Sequence, residues 1–253
     1  MVERLLGWWG FNLGVHLKPL TEKIDTQKVN LKRLKKDTLV WLASHRCEHR
    51  HNGIEHPQCF AIEKERLGFF DIESAGGGFN AQFGIMLSYC IKDGDSDTVY
   101  KDSLVKSDFT KHDSHERNGR EDRRLVEHCV RDMKRFDRIV TWYGTGFDLK
   151  FTRTRAVICD VPFPSYAELK HTDLYYLVRN RFKLTSNRLE NACRALLGST
   201  DKTHVDPNIW RMAGRGDKES IGYILEHNEF DVLDLEKIYH KVIGYGRKTD
   251  NSI

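Results

Sequence analysis

The chain has 253 residues, 39% of them hydrophobic and 31% charged, with a net charge of +4. That is enough chain to bury a sizeable core, and no apolar run approaches the ~20 residues that a membrane helix needs. Residues 1–20 include Trp8 and Trp9 but lack the order of charge, apolar block and cleavage site of a secretory leader, so a soluble cytoplasmic protein with no membrane partner is expected.

The N-terminal part carries the charge imbalance. Residues 1–60 hold ten Lys/Arg against six Asp/Glu, and the remainder is balanced. Lys28, Lys32, Arg33, Lys35 and Lys36 lie close together, as a solvated helix face or a phosphate contact would have them. Residues 21–43 read as one or two helices, with Asp37 or Thr38 placed to cap the second. A cluster of His45, Cys47, His49, His51, His56 and Cys59 follows, with the turn Asn52-Gly53 inside it. Two thiolates and two imidazoles around a turn suit a tetrahedral structural zinc ion. The expected ligands are Cys47, His56 and Cys59, with either His49 or His51 as the fourth. Residues 1–62 are therefore read as a helical arm with a zinc-binding loop, and residues 63–253 as a separate, larger domain. Cys90, Cys129, Cys159 and Cys193 are scattered singly through apolar patterns and read as small buried hydrophobes, not as a disulfide framework.

The domain begins with a predicted strand over 66–74. Phe69, Phe70 and Ile72 mark it as buried, yet Asp71 and Glu73 lie within it. Residues two apart on a strand share a face, so both carboxylates project together, about 7 Å apart at the backbone. Two acids held close favour a cation between them, and Mg²⁺ or Mn²⁺ prefers such oxygen ligands. The glycine run 76–78 lacks the lysine of a phosphate loop and the spacing of a dinucleotide site.

Strands are predicted over 83–91 and 98–105, with a turn at Asp93-Gly94-Asp95, giving an antiparallel meander. Residues 106–119 read as a polar loop. Residues 120–136 read as a helix with Leu125, Val126, Cys129, Val130, Met133 and Phe136 on one face, Glu121 and Asp122 in the first turn and Lys134 and Arg135 in the last. A buried strand over 138–143 leads to Gly144-Thr145-Gly146-Phe147-Asp148. Asp148 thus falls at a strand's C-terminal end and a helix's start, where open α/β sheets place ligands.

Another strand, within 169–178, holds Asp173. Residues 186–197 read as a helix stopped by Gly198, and 199–216 as a loop. Its Lys202, Trp210 and Arg211 are basic and aromatic groups of the kind that hold a nucleic-acid strand. From Asp217 a helix is predicted to run to about residue 243. His227 and Asp231 are four apart on it and share a face with Ile224, Leu235 and Ile238, so the polar pair points inward.

The resulting order, β-β-β-α-β-α-β-α, together with Asp71-Ile72-Glu73, Trp142-Tyr143-Gly144 leading to Phe147-Asp148, and His227 ahead of Asp231-Val232, resembles the ribonuclease-H-like fold of the DEDD 3′–5′ exonuclease superfamily. The resemblance covers residues 66–243. His171-Thr172-Asp173-Leu174 and Ser186-Asn187-Arg188-Leu189-Glu190 look like its predicted-exonuclease branch. The resemblance implies an α/β mixed sheet, a nucleic-acid substrate and two divalent ions, Mg or Mn, held by Asp71, Glu73, Asp148 and Asp231. His227 would be the general base or the group that orients water. In the superfamily a histidine base usually precedes its aspartate by five positions and a tyrosine by four; here a histidine stands at the tyrosine's spacing. Asp234 is a weaker competitor for the fourth acid position. An endonuclease acting on particular structures or on RNA–DNA hybrids, and a catalytically silent binding module, are the competing readings.

Overall fold

The computed structural model describes residues 36–44, 46, 50–55, 65–76, 80–110, 119–166, 168–200 and 206–246. It divides into two compact units, residues 1–64 and 65–253. Of the first unit, helix α1 (Lys36–Ser44) is described, with a single bridge between Arg46 and Asn52. The Gly53 amide donates to the Leu42 carbonyl, and the Asn52 side chain caps the turn by accepting from the amides of Ile54 and Glu55.

The second unit is built on a five-stranded mixed sheet. Its strands are β1 (Leu67–Ala75), β2 (Ile85–Asp93), β3 (Val99–Ser103), β4 (Arg138–Thr141) and β5 (Lys170–Asp173), in the spatial order β3-β2-β1-β4-β5. The first three form the expected antiparallel meander, and β1–β4 and β4–β5 are parallel. Parallel neighbours need crossovers: α2 (Lys106–Thr110) and α3 (Arg123–Met133) lie on the way to β4 and α4 (Asp148–Ile158) joins β4 to β5, while α5 (Leu174–Arg181), α6 (Leu189–Leu197), α7 (Pro207–Ala213) and α8 (Lys218–Val242) follow β5. The α/β architecture anticipated from the element order is therefore present.

The sheet's two faces carry two cores. Phe70, Ile72, Leu87, Tyr89 and Ile91 pack with Leu125, Cys129 and Met133 of α3. Phe69, Cys90 and Val140 pack on the other face with residues of α5, α6 and the C-terminal half of α8, among them Leu174, Cys193, Leu235 and Ile238. Strand alternation thus sends Phe70 and Ile72 to one side and Phe69 to the other, and Asp71 and Glu73 share the side of Phe69. Cys90, Cys129, Cys159 and Cys193 are all buried and free.

Helix α8 runs alongside β2. Asn228 donates to Ser88 and the Lys92 ammonium pairs with Glu236. Four strand residues advance about 13 Å and eight helical residues about 12 Å, so the two contacts hold helix and strand in register.

Four local expectations change. Strand β2 continues through Asp93 before turning, because the Asp93 carboxylate accepts from Arg66 and from the Asp95 amide and so keeps its bonds while buried. The apolar residues after Asp173 form a helix rather than more strand, as the Asp173 side chain caps α5 through the Tyr175 amide. The stretch read as a loop over 199–216 contains α7, started by an Asp206 N-cap and Pro207 at N1. The polar stretch after β3 begins with α2, whose buried Asp108 binds the Arg124 guanidinium.

Asp122 is not a dipole-balancing residue in a first turn. It precedes α3, fully buried, and forms a two-pronged ion pair with buried Arg155 of α4, at 2.8 Å from Nε and 2.5 Å from Nη2. It also accepts from the Met86 amide, while Arg155 reaches the carbonyls of Ala81 and Gly119. Paired in this way, the two charges are tolerated inside.

Candidate active site

Four acids from three parts of the fold converge on one cleft of about 770 Å³, lined by Asp71, Glu73, Asp148 and Asp231. Asp71 and Glu73 come from β1, where they pair in register with Cys90 and Ser88 of β2. The register shifts just after Glu73, a bulge of the kind that re-aims side chains beside sites. Asp148 opens α4 and is buried, and Asp231 is buried on α8.

His227 sits one turn before Asp231. Its Nε2 lies 3.8 Å from an Asp231 oxygen and 3.9 Å from a Glu73 oxygen. Glu73, His227 and Asp231 form the one group of three or more possible ligands among the described residues, with ligand atoms within 4.8 Å of one another. Asp234, the competitor, is turned elsewhere. Its carboxylate accepts from the Thr200 hydroxyl at 2.7 Å and from Lys237.

The electrostatics suit a cation. Burial pushes the Asp148 carboxyl up to about 7, the amides of Asp148 itself and of Ile72 oppose that shift, and the negative charges of Asp173 and Asp231 add to it. A buried carboxyl raised by carboxylate neighbours is the condition that a divalent ion relieves. The carboxylates offer the oxygen donors that Mg²⁺ and Mn²⁺ prefer, with one imidazole beside them.

The loop that presents Asp148 is braced by residues that the sequence did not single out for this role. The Asp173 carboxylate accepts from the amides of Tyr143 and Thr145, each at 2.9 Å, as well as from Tyr175 at 3.1 Å. The Thr141 hydroxyl accepts from the Gly144 amide and lies 2.9 Å from His171 Nε2. Burial lowers the His171 pKa to about 4, against the pull of Asp173 and with the help of Arg138 and Arg153. His171 is thus neutral near pH 7, and its Nε2 can accept the Thr141 proton. Gly144 is obligatory: a Cβ there would stand 2.3 Å from the Thr141 hydroxyl oxygen.

The expected substrate-contacting group divides. Trp210 lies beside the site, its ring edge-on to His227 with centroids 5.8 Å apart. Arg211 is exposed on α7 and donates to Asn208. Lys202 is outside the described residues. So are Cys47, His49, His56 and Cys59 of the zinc-like cluster, of which His51 alone is described. Asn187, Arg188, Leu189 and Glu190 also line the cleft, a stretch that the sequence marks by likeness alone. Trp142 reaches it through a hydrogen bond from its indole N–H to the Asn187 carbonyl.

No helix among the described residues is long and apolar enough to cross a membrane. Among solved structures, the chain is similar to the family B DNA polymerase from the hyperthermophilic archaeon Pyrobaculum calidifontis, with a TM-score of 0.55 and 18% identity. The match covers 72% of this chain and spans a quarter, 25%, of the polymerase chain, and at that identity it speaks for the fold. No curated protein matches the sequence. The RNase_H superfamily model matches residues 68–243, from the second residue of β1 to the end of α8 and one residue beyond. The chain belongs to the RNase_H superfamily.

Proposed function

We propose that the chain is a metal-dependent nuclease that hydrolyses phosphodiester bonds of nucleic acid and removes nucleotides from 3′ ends. The observation that carries the reading is the convergence of Asp71, Glu73, Asp148 and Asp231 on one cleft, with His227 at its edge. Membership of a superfamily with nuclease members supports it.

Asp71, Glu73, Asp148 and Asp231 would hold two Mg²⁺ or Mn²⁺ ions. Such a pair activates water and stabilises the leaving oxygen of an in-line displacement at phosphorus. The protein's own residues supply the rest. The four carboxylates offset the charge of the bound cations, so a polyanionic strand approaches a site that is no longer acidic. His227 lies on the side of Glu73 and Asp231, where an imidazole can take the proton of the attacking water near neutral pH. The Asp173 brace fixes the loop before α4 and with it the position of Asp148. In the same reading the N-terminal cluster binds a structural zinc ion and grips substrate.

The test uses 5′-labelled oligonucleotides, single-stranded and duplex, as DNA and as RNA. Wild type and Asp71→Ala are compared with Mg²⁺, with Mn²⁺ and with chelator. A ladder shrinking from the 3′ end in wild type, absent in the variant and in chelator, is expected. A discrete internal cut would replace the exonuclease by an endonuclease. Binding without cleavage in either metal would leave a silent nucleic-acid-binding module.

A further inference from the structure

The loop between β4 and α4 holds an aromatic side chain in a way that burial does not explain. Tyr143 has φ of 71°, the left-handed region that side-chain-bearing residues rarely occupy. Such a conformation is strained, and it persists where surrounding bonds enforce it. The enforcing bonds are present: Asp173 takes the amides on both sides of Gly144, those of Tyr143 and Thr145. Gly146 makes room for the ring, since a Cβ there would lie 2.3 Å from its Cζ. Tyr143 as a residue nevertheless remains 43% exposed. Tyr175 meets it edge-on with centroids 4.7 Å apart, and Tyr176 lies tilted at 6.1 Å.

This braced ring stands on a ridge. On one side is the acidic cleft, lined by Trp142, Tyr143, Phe147, Asp148 and Arg188 among others. On the other side is a second cavity of about 530 Å³, lined by Thr145, Leu149, Lys150, Arg153, Tyr166 and His171. Lys150 and Arg153 are exposed and three residues apart on α4. The Arg153 guanidinium is seated over the Phe163 ring, 5.3 Å from its centroid. Asp148, the partly exposed Tyr143 and a pair of cations thus lie within a single loop and the first turns of α4.

We infer that this ridge is a track for an unpaired nucleic-acid strand: a base stacks on Tyr143, and the phosphates on the far side of that base meet Lys150 and Arg153. The inference rests on the nuclease reading and narrows its substrate to single strands or unpaired ends. Inside a duplex each base face is covered by its neighbours, and only the end pair leaves a face open to Tyr143. Aromatic platforms followed by basic grooves are the common solution for single strands, because every base offers a π-face and every linkage a charge.

The two halves of the track have different signatures. Stacking contributes about 1–3 kcal/mol per base, so Tyr143→Leu should weaken binding about 5- to 150-fold without altering its salt dependence. Each phosphate contact contributes about 0.7 to the slope of log K against log salt for single strands, so Lys150→Gln with Arg153→Gln should lower that slope by about 1.4.

The experiment measures fluorescence anisotropy of a labelled thymidine strand of about twelve nucleotides, alone and in blunt duplex, with the full chain in chelator. Tyr143→Phe, which keeps the π-face, should bind like wild type. The exposed Lys150/Arg153 double variant keeps the test open should Tyr143→Leu fail to fold. The track is overturned if duplex binds as well as single strand, if folded Tyr143→Leu binds like wild type, or if the double variant keeps the wild-type slope. Binding with these signatures but no cleavage in metal would remove the nuclease reading and leave the track. Cleavage of single strands with an unchanged KM in Tyr143→Leu would remove the track and leave the nuclease.

Discussion

Replacing Asp148 by asparagine should make the metal-free protein more stable while abolishing cleavage. In the folded chain burial raises the Asp148 carboxyl from 3.8 to about 7, the amides of Asp148 and Ile72 pull the other way, and Asp173 and Asp231 add repulsion. A raised pKa on an acid means that the folded state holds the proton after the unfolded chain has released it. The resulting penalty is absent below 3.8, grows as pH rises through the window up to about 7, and is complete above it. At 1.36 kcal/mol per pKa unit that window corresponds to about 4 kcal/mol. Asparagine keeps the shape, accepts the same amide bonds and removes the charge. For a chain of this size each kcal/mol moves Tm by about 2–4 °C, so a gain of at least about 5 °C is expected at about pH 8 in chelator, shrinking toward zero near pH 4. Adding Mn²⁺ should raise the wild-type Tm by preferential binding to the folded state and move the variant little. Thermal unfolding of both proteins at the two pH values, with chelator and with metal, is the assay. A variant no more stable than wild type at about pH 8 in chelator would refute the argument that the acids are held together at the expense of stability.

Arg155→Met should leave Asp122 charged and buried, costing about 3–5 kcal/mol and about 6–20 °C in Tm; combining it with Asp122→Leu should recover part of the loss, and a harmless single substitution would contradict the pairing. Glu65 is partly buried, which raises its pKa, but Arg138 and Lys170 outweigh burial and hold it at about 2 instead of 4.5. Its stabilisation is therefore complete above 4.5 and lost as pH falls toward 2, so Glu65→Gln should flatten the acid limb of stability measured by denaturant titration between those values, with a loss of about 1–3 kcal/mol near pH 6. Purified full-length chain should carry about one zinc ion, since two thiolates and two imidazoles complete one tetrahedral site, and Cys59→Ser should release it with a fall in Tm; elemental analysis finding no zinc would remove that proposal.

The legible parts of the fold were those whose signal is local. Acids two apart inside an apolar strand pointed to one side of β1, and the i, i+4 spacing of His227 and Asp231 placed them together on α8. What escaped depended on partners distant in sequence. Asp122 looked like a favourable charge in a helix's first turn, because nothing near it announces Arg155, 33 residues away. Asp173 was visible as an acid at a strand's end, but its hold on Tyr143 and Thr145 comes from the parallel register of β4 and β5. The apolar run after Asp173 fits strand and helix alike. Asp206-Pro207 did offer a helix-start signal, and the surrounding polar composition masked it.

The docking of α8 on β2 also sets a schedule. Ser88 and Asn228 are 140 residues apart, and Lys92 and Glu236 are 144 apart. At common synthesis rates of about 5–20 residues per second, roughly ten to thirty seconds separate the emergence of Asp71 and Glu73 from that of His227 and Asp231. During that interval the chain carries Asp71 and Glu73, joined partway by Asp148, but neither His227 nor Asp231. The same holds for any product broken off before residue 227. The four-acid cleft is thereby kept incomplete during synthesis and is assembled only when the last helix closes on the sheet.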